Sequence, residues 1–202
     1  MKDDAWQTVK LFEKRAEEYT GSPYAVSVDT CTAAIFLCCK YLNVKTVKIP
    51  CRTHVSVPCS VIHAGGTVEF EDKEWRGCYE LEPYPIVDSA VRFTSGMYQP
   101  GKFVCVSFQY KKPLPIGRGG MILTDDPEAT KWFMKARCNG RGECSVWEDS
   151  IEMIGWNYYM DPERAARGLA FLDVLPKDNP DKQLPYPDLT AFPAFRGFPR
   201  RS

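Results

Sequence analysis

Tyr24-Ala25-Val26-Ser27-Val28-Asp29-Thr30-Cys31-Thr32-Ala33-Ala34-Ile35-Phe36-Leu37 decides the fold. Tyr24–Val28 is rich in β-formers, Ala33–Leu42 reads as an apolar helix, and the small polar residues Thr30-Cys31-Thr32 sit where strand hands over to helix. The same rhythm recurs downstream. Thr46–Pro50 is a strand leading to a helix over Val55–Ala64, with Val55, Cys59 and Ile62 on one side; Gly65-Gly66 breaks the chain; Thr67–Glu71, Tyr84–Val87 and Phe103–Phe108 are further strands. Strands separated by helix-length segments predict an α/β fold with a parallel, doubly wound sheet, in which ligands sit at the carboxyl ends of the strands. Thr30-Cys31-Thr32, Thr53-His54, Asp88-Ser89-Ala90 and Ser107-Phe108, with Lys111-Lys112 close behind, would then share one rim.

Working outward, Trp6, Val9, Leu11, Phe12 and Ala16 make Asp3–Tyr19 an amphipathic first helix that Gly21 can end. Gly117-Arg118-Gly119-Gly120 turns the chain into a strand over Met121–Thr124, expected to be antiparallel because no crossover helix precedes it. Helices follow over Pro127–Cys138, opened at Asp125-Asp126, and over Pro162–Leu175, capped by Asp161 with proline in its first turn. From Pro176 onward Pro180, Pro185, Pro187, Pro193 and Pro199 interleave with Phe192, Phe195 and Phe198. The chain therefore divides into a body, residues 1–175, and an extended tail, residues 176–202, which docks on its own body or on a neighbouring subunit, a partly disordered end being the alternative.

Composition excludes several classes. Lys plus Arg (26) balance Asp plus Glu (26), so no positive field collects nucleic acid. The longest apolar run, around Ala33–Cys39, is far short of the roughly 20 residues of a membrane helix, and Met1-Lys2-Asp3-Asp4 starts no secretory signal, so a soluble, cytoplasmic protein is expected. Nine cysteines, an odd number with Cys38 and Cys39 adjacent, read as reduced core residues rather than a disulfide framework. Cys51-x2-His54-x4-Cys59-x3-His63 is loosely spaced like a zinc knuckle, but it overlaps the expected helix and lacks a C-x-x-C anchor, so no metal is assigned.

A lysine amine, a carboxylate one strand away and a hydroxyl-rich helix N-terminus form the set that pyridoxal phosphate requires. Singly, Asp88 or Ser107 fits a helix cap and paired lysines fit a solvated loop. The longer motifs go further. Ser107-Phe108-Gln109-Tyr110-Lys111-Lys112-Pro113-Leu114-Pro115-Ile116-Gly117-Arg118-Gly119-Gly120 resembles, without a gap, the S-F-x-x-x-K-x-L-x-x-G-E-G-G motif of the DegT/DnrJ/EryC1/StrS aminotransferases. Phe12-Glu13-x5-Tyr19-x-Gly21 is similar to that family's opening helix, Thr30-Cys31-Thr32-Ala33-Ala34-Ile35 to its S-G-T-x-A-L, Pro50 through Asp72 to its P-x-x-T-aromatic … F-x-D stretch, Val87-Asp88-Ser89-Ala90 to E-D-A-A, and Gly155-Trp156-Asn157-Tyr158-Tyr159-Met160 to G-x-N-Y-R-M.

The resemblance implies a three-layer α/β/α body with a mainly parallel sheet, a reduced form of the large domain of fold type I pyridoxal-phosphate enzymes. It implies Lys112 as the Schiff-base lysine and Asp88 as the partner of the pyridine nitrogen. Thr30, Cys31, Thr32 and Ser107 would hold the phosphate, His54 would stack on the ring, and Asn157 would reach the phosphate of the other subunit of a homodimer. Lys111 is left as a neighbouring charge. The sequence departs from the family where Cys31 replaces a glycine, Val91 a glutamine that touches the cofactor's phenolic oxygen, Arg118 a glutamate and Tyr159 an arginine. Lys73–Ile86 stands where the family has a further helix and strand, and a smaller C-terminal domain normally follows the helix ending near Leu175. The implied activity is transfer of an amino group, from a donor such as glutamate, to a nucleotide-linked keto sugar. Arg92, Arg137 and Arg141 are candidates for its phosphates, with solvated surface as their other role. Two alternatives stand beside it: another pyridoxal-phosphate reaction, dehydration or decarboxylation of a sugar or modified nucleotide, and a non-catalytic scaffold that keeps the fold.

Overall fold

The computed structural model describes residues 6–145 and 147–201. In chain order the elements are α1 (Trp6–Thr20), β1 (Tyr24–Val28), α2 (Cys31–Tyr41), β2 (Thr46–Pro50), α3 (Ser56–His63), β3 (Thr67–Glu71), β4 (Tyr79–Glu80), β5 (Ile86–Asp88), β6 (Phe103–Ser107), β7 (Gly120–Thr124), α4 (Pro127–Ala136), α5 (Pro162–Leu172) and β8 (Arg200–Arg201). Short 3-10 turns lie at Leu189–Ala191 and Pro193–Phe195. Asp3–Ala5 of the expected first helix fall outside the described residues. Side-chain caps set the helix starts: Thr30 accepts from the Ala33 amide, Asp126 from Glu128 and Ala129, and Asp161 from Arg164.

Two sheets form, ordered β1-β7-β6-β5-β4 and β2-β3-β8. A bridge joins them: the Lys48 amide donates to the Glu82 carbonyl at 2.8 Å and the Glu82 amide to Lys48 at 3.1 Å. β5–β6, β2–β3 and β3–β8 are parallel, whereas β7 is antiparallel to both β1 and β6, and β4 to β5. β7 is antiparallel as expected, and β4 adds a further antiparallel pairing that was not expected, both for one reason. The β4–β5 and β6–β7 connections carry no helix, and a short connection returns the chain antiparallel to itself. The segment expected to be a plain linker, Lys73–Ile86, supplies β4 and the Glu82 bridge, so it closes the gap between β2 and β5 with backbone pairing.

Both sheet faces are covered. Val26, Val28, Cys105 and Ile122 pack with Ala34, Leu37, Val57, Val61 and Phe133 of α2, α3 and α4, while Ala25, Val104, Val106, Met121 and Leu123 pack with Val9, Phe12, Ala165 and Leu172 of α1 and α5. Successive strand residues point to opposite faces, so strands covered on both sides read as unbroken apolar runs. A Cβ at Gly168 would lie 2.5 Å from the Phe12 ring, so glycine is what lets α5 sit directly against α1.

α3 turns a different side inward from the one expected. Val57, Pro58, Ser60 and Val61 are buried, whereas Val55 and Ile62 are exposed and Cys59 lies between. Apolar residues occupy both sides of this short helix, so spacing alone could not choose between them. The Ser60 hydroxyl makes the choice legible, donating to the Ser56 carbonyl at 2.8 Å and lying 3.1 Å from the Thr32 carbonyl of α2.

A buried polar knot ties α1, β1 and the end of α4 together. Glu13 accepts from the Ser27 amide at 2.8 Å and hydroxyl at 2.7 Å and pairs with Arg137, whose guanidinium also donates to the Ser27 carbonyl at 2.7 Å. Arg137 is therefore neither solvated nor free for a substrate. Arg137→Ala would strand the Glu13 charge in the interior and is expected to cost about 3–5 kcal/mol of unfolding free energy. Denaturant melting checks this; a loss below about 1 kcal/mol would show the pair to be dispensable.

The tail docks on its own body. The Lys182 amide donates to the Val91 carbonyl at 2.9 Å, the Leu189 amide to Cys51 at 2.9 Å and the Phe70 amide to Pro199 at 2.8 Å, and Leu189 and Phe195 are buried. No described helix is long and apolar enough to cross a membrane.

Candidate active site

β1, β5 and β6 end at one rim, and their next residues enclose a cavity of about 550 Å³. Its walls include Thr30, Cys31, Thr32, His54, Asp88, Ser107 and Lys112, so seven of the eight residues expected from the sequence meet there. The volume is in the range of small-molecule and cofactor pockets.

The floor begins at α2. The Thr30 hydroxyl accepts from the Ala33 amide at 3.1 Å and lies 3.1 Å from Asp29 Oδ1. It therefore builds the helix start, and the amides of the first turn face a site favourable to an anion. A Cβ at Gly120 would lie 2.3 Å from the Thr30 carbonyl carbon, so only glycine lets β7 run this close beneath the turn. Ser107 is buried at the end of β6, Thr32 is exposed, and Arg118 at the rim pairs with Asp29 at 2.8 Å.

Asp88 is 4% exposed. Its Oδ1 accepts from the Ala90 amide at 2.9 Å and its Oδ2 from the Tyr79 hydroxyl at 2.9 Å. Tyr79 has spent its one proton on Asp88, so the Thr53 hydroxyl beside it donates to Tyr79. Burial raises the Asp88 pKa, opposed by these hydrogen bonds and by the Lys112 and His54 charges. Each carboxylate oxygen keeps a lone pair for a further donor from the cavity.

Lys112 is 7% exposed, and burial lowers its pKa while Cys31 and Asp88 act the other way. A larger share of its amine is thereby the free base at neutral pH. Its Nζ lies 3.5 Å from the Tyr186 hydroxyl. Lys111, by contrast, is exposed, with its ammonium 5.4 Å from the centre of the Tyr110 ring. His54 stands exposed at the mouth, its Nδ1 2.8 Å from the Ser56 hydroxyl; the desolvation it does suffer, and then the charge of Lys112, lower its pKa. Cys31 is buried, and burial followed by the Asp88 charge pushes its thiol well up, so it serves as a neutral wall and not a nucleophile.

Asn157 lies elsewhere. It is exposed and lines a second cavity with Trp6, Lys10, Arg141 and Tyr159. Arg92 is held by Asp181 in a two-bond pair at 2.8 Å and 2.8 Å, so its role is to pin the tail. Cys51, His54, Cys59 and His63 do not converge: among the described residues no three His, Cys, Asp or Glu side chains are grouped for a metal.

Several residues of the site escaped the sequence. Tyr79, Trp75 and Tyr186 came from stretches with no motif, and only the fold brings them to Asp88 and Lys112; Thr53 was expected at the rim, but its bond to Tyr79 was not. Trp75 packs against Tyr79 at 4.8 Å and stacks on Tyr186 at 5.9 Å, and Tyr186 meets His54 edge-on at 6.1 Å. An aromatic in a proline-rich tail was the one available signal for Tyr186.

The donor set fits pyridoxal phosphate: an amine driven toward its free base, a buried carboxylate with unused lone pairs, and a helix start with a buried hydroxyl beside it. Known proteins share the arrangement's fold. The chain is 24% identical over 216 residues to the spore coat polysaccharide biosynthesis protein SpsC of Bacillus subtilis (strain 168), covering 80% of this chain and 55% of SpsC. Among solved structures it is similar to Spr1654 of Streptococcus pneumoniae in its PMP form (TM-score 0.71, 19% identity, 83% of this chain and 59% of that one). It is also similar to Helicobacter pylori PseC, an aminotransferase involved in the biosynthesis of pseudoaminic acid (TM-score 0.70, 16% identity, 82% and 57%). The chain thus spans little more than half the length of these relatives. A model of the pyridoxal-phosphate-dependent DegT/DnrJ/EryC1/StrS aminotransferases matches residues 4–82 and 96–187, most of the chain, and the chain belongs to that family.

Proposed function

We propose that this chain binds pyridoxal phosphate on Lys112 and acts as a cytoplasmic sugar aminotransferase, moving an amino group from glutamate to a nucleotide-linked keto sugar. The observation that carries the reading is the pairing, in one cavity, of the buried Lys112 amine with the buried Asp88 carboxylate. Family membership supports the reaction class, and Asp88 and Lys112 are catalytic residues in this reading.

When bound, pyridoxal phosphate supplies an aldehyde to take up amino groups and a ring that accepts an electron pair. Asp88 holds the proton on the ring nitrogen, and Tyr79 and the Ala90 amide hold Asp88 in place. Lys112 would hold the cofactor through Nζ, and the same atom, as a free amine, would carry a proton to and from the substrate carbon. The α2 start, with the Cys31 and Thr32 amides, Thr32 and Ser107, holds the phosphate, and Thr30 keeps that turn in shape. His54 covers the ring. Asn157, exposed and outside its own chain's pocket, reaches the phosphate in the partner subunit of a homodimer. Residues 1–175 form the cofactor-binding unit, and the tail completes its wall.

The test is an absorbance spectrum of the protein with added pyridoxal phosphate, then borohydride reduction and peptide mapping. A yellow band, its bleaching by glutamate, and a reduced adduct on Lys112 are expected. A band with no response to any amino donor would move the reading to another pyridoxal-phosphate reaction. No band and no labelled lysine would leave the scaffold reading in its place.

A further inference from the structure

The tail forms a strap across the mouth of the cavity. On one side it is pinned by the Arg92–Asp181 pair and by the Lys182 amide on the Val91 carbonyl; on the other, by the Leu189 amide on the Cys51 carbonyl, with Leu189 itself buried. Between these pins Leu184, Pro185 and Tyr186 line the cavity. Tyr186 is partly buried, stacked on Trp75, and its hydroxyl oxygen lies 3.5 Å from Lys112 Nζ. Lys112 donates in that contact, which leaves the hydroxyl proton free to be given to another acceptor. Burial, then the Asp88 and Cys31 charges, push the Tyr186 pKa up to about 12, so it remains a neutral donor across the physiological range.

Resting on the cofactor reading above, we propose that the strap is a built-in wall of the cofactor pocket and that Tyr186 donates a hydrogen bond to the phenolic oxygen of pyridoxal phosphate. That oxygen neighbours the aldehyde carbon to which Lys112 Nζ must come, so a hydroxyl beside Nζ is placed to serve both. Val91, apolar and 2% exposed, offers no side-chain donor, yet its carbonyl holds the strap that carries one.

Tyr186→Phe keeps the ring on Trp75 and removes the hydroxyl; Tyr186→Ala removes both. A donor on the phenolic oxygen favours its anionic form, so losing the donor strengthens the hold on the shared proton. The pH midpoint at which the yellow band changes colour is therefore expected to rise by about one unit in Tyr186→Phe. An unchanged midpoint overturns the hydrogen bond. In the protein without cofactor, the part of the tryptophan emission that Trp75→Phe removes is expected to change in Tyr186→Ala and to stay near wild type in Tyr186→Phe; no change in either overturns the strap. The two failures are separable: wild type without a band, but with the emission response, sinks the cofactor reading and the hydrogen bond while the strap stands.

Discussion

Lys112→Ala is expected to lose the yellow band and the borohydride adduct altogether, and to lower turnover by at least about 10²–10⁴-fold, the usual worth of a positioned acid–base group. The fold should survive, because α2, β5 and β6 are held by apolar packing that does not involve the amine. Lys111→Ala is the matched control. Lys111 is exposed, so its loss should leave both band and adduct in place. Because burial lowers the Lys112 pKa, modification by pyridoxal phosphate should proceed at this site at a pH where surface lysines remain charged and slow. Peptide mapping decides the matter, and an adduct found on Lys111 in the wild type would transfer the role to the wrong side of the loop.

Asp88→Asn carries the second large effect and has two opposite signs. For turnover, asparagine has no charge to keep a proton on the ring nitrogen, and a loss of about 10²-fold or more is expected while the band persists. For stability the direction reverses. Burial raises the Asp88 pKa above its ordinary 3.8, so the folded state binds the proton more tightly than the unfolded one. Stability then falls as pH rises from the unfolded pKa through the folded one, and the penalty is complete above both. Asparagine is uncharged throughout, so the free variant should melt higher than wild type near pH 7, with the gap closing in acid. A variant equally active, or one destabilised at pH 7, would show Asp88 to be a structural carboxylate satisfied by Tyr79 and Ala90. Higher stability at the cost of function is the expected mark of a buried active-site charge.

The alternation of strand and helix from Tyr24 to Glu71 was legible because the core-facing residues of a strand are apolar, at every second position or without a break, and helix starts favour Thr, Ser or Asp. The gapless run from Ser107 to Gly120 also singled out Ser107 and Lys112, which the fold brings to one cavity. Less could be read where apolar residues crowd both sides of an element. α3 offered two candidate faces, and its burial was settled by α2 and β3, which no local pattern encodes. Lys73–Ile86 looked like a linker because two-residue β4 and the single Lys48–Glu82 bridge are too short to leave a periodic signal.

By itself, the sequence determined the α/β body, the loop that carries Lys112 and the strand end that carries Asp88, since each is written in a contiguous stretch whose chemistry is local. Only the tertiary structure decided that Tyr79 and Thr53 support Asp88, that Arg137 is a buried partner of Glu13, and that Tyr186 of the tail stands over Lys112 of its own chain. Those contacts join residues 26, 124 and 74 positions apart, as in Thr53–Tyr79, Glu13–Arg137 and Lys112–Tyr186. Partners that distant leave no spacing to read, because the packing of the whole sheet, and not the neighbouring residues, sets where they meet.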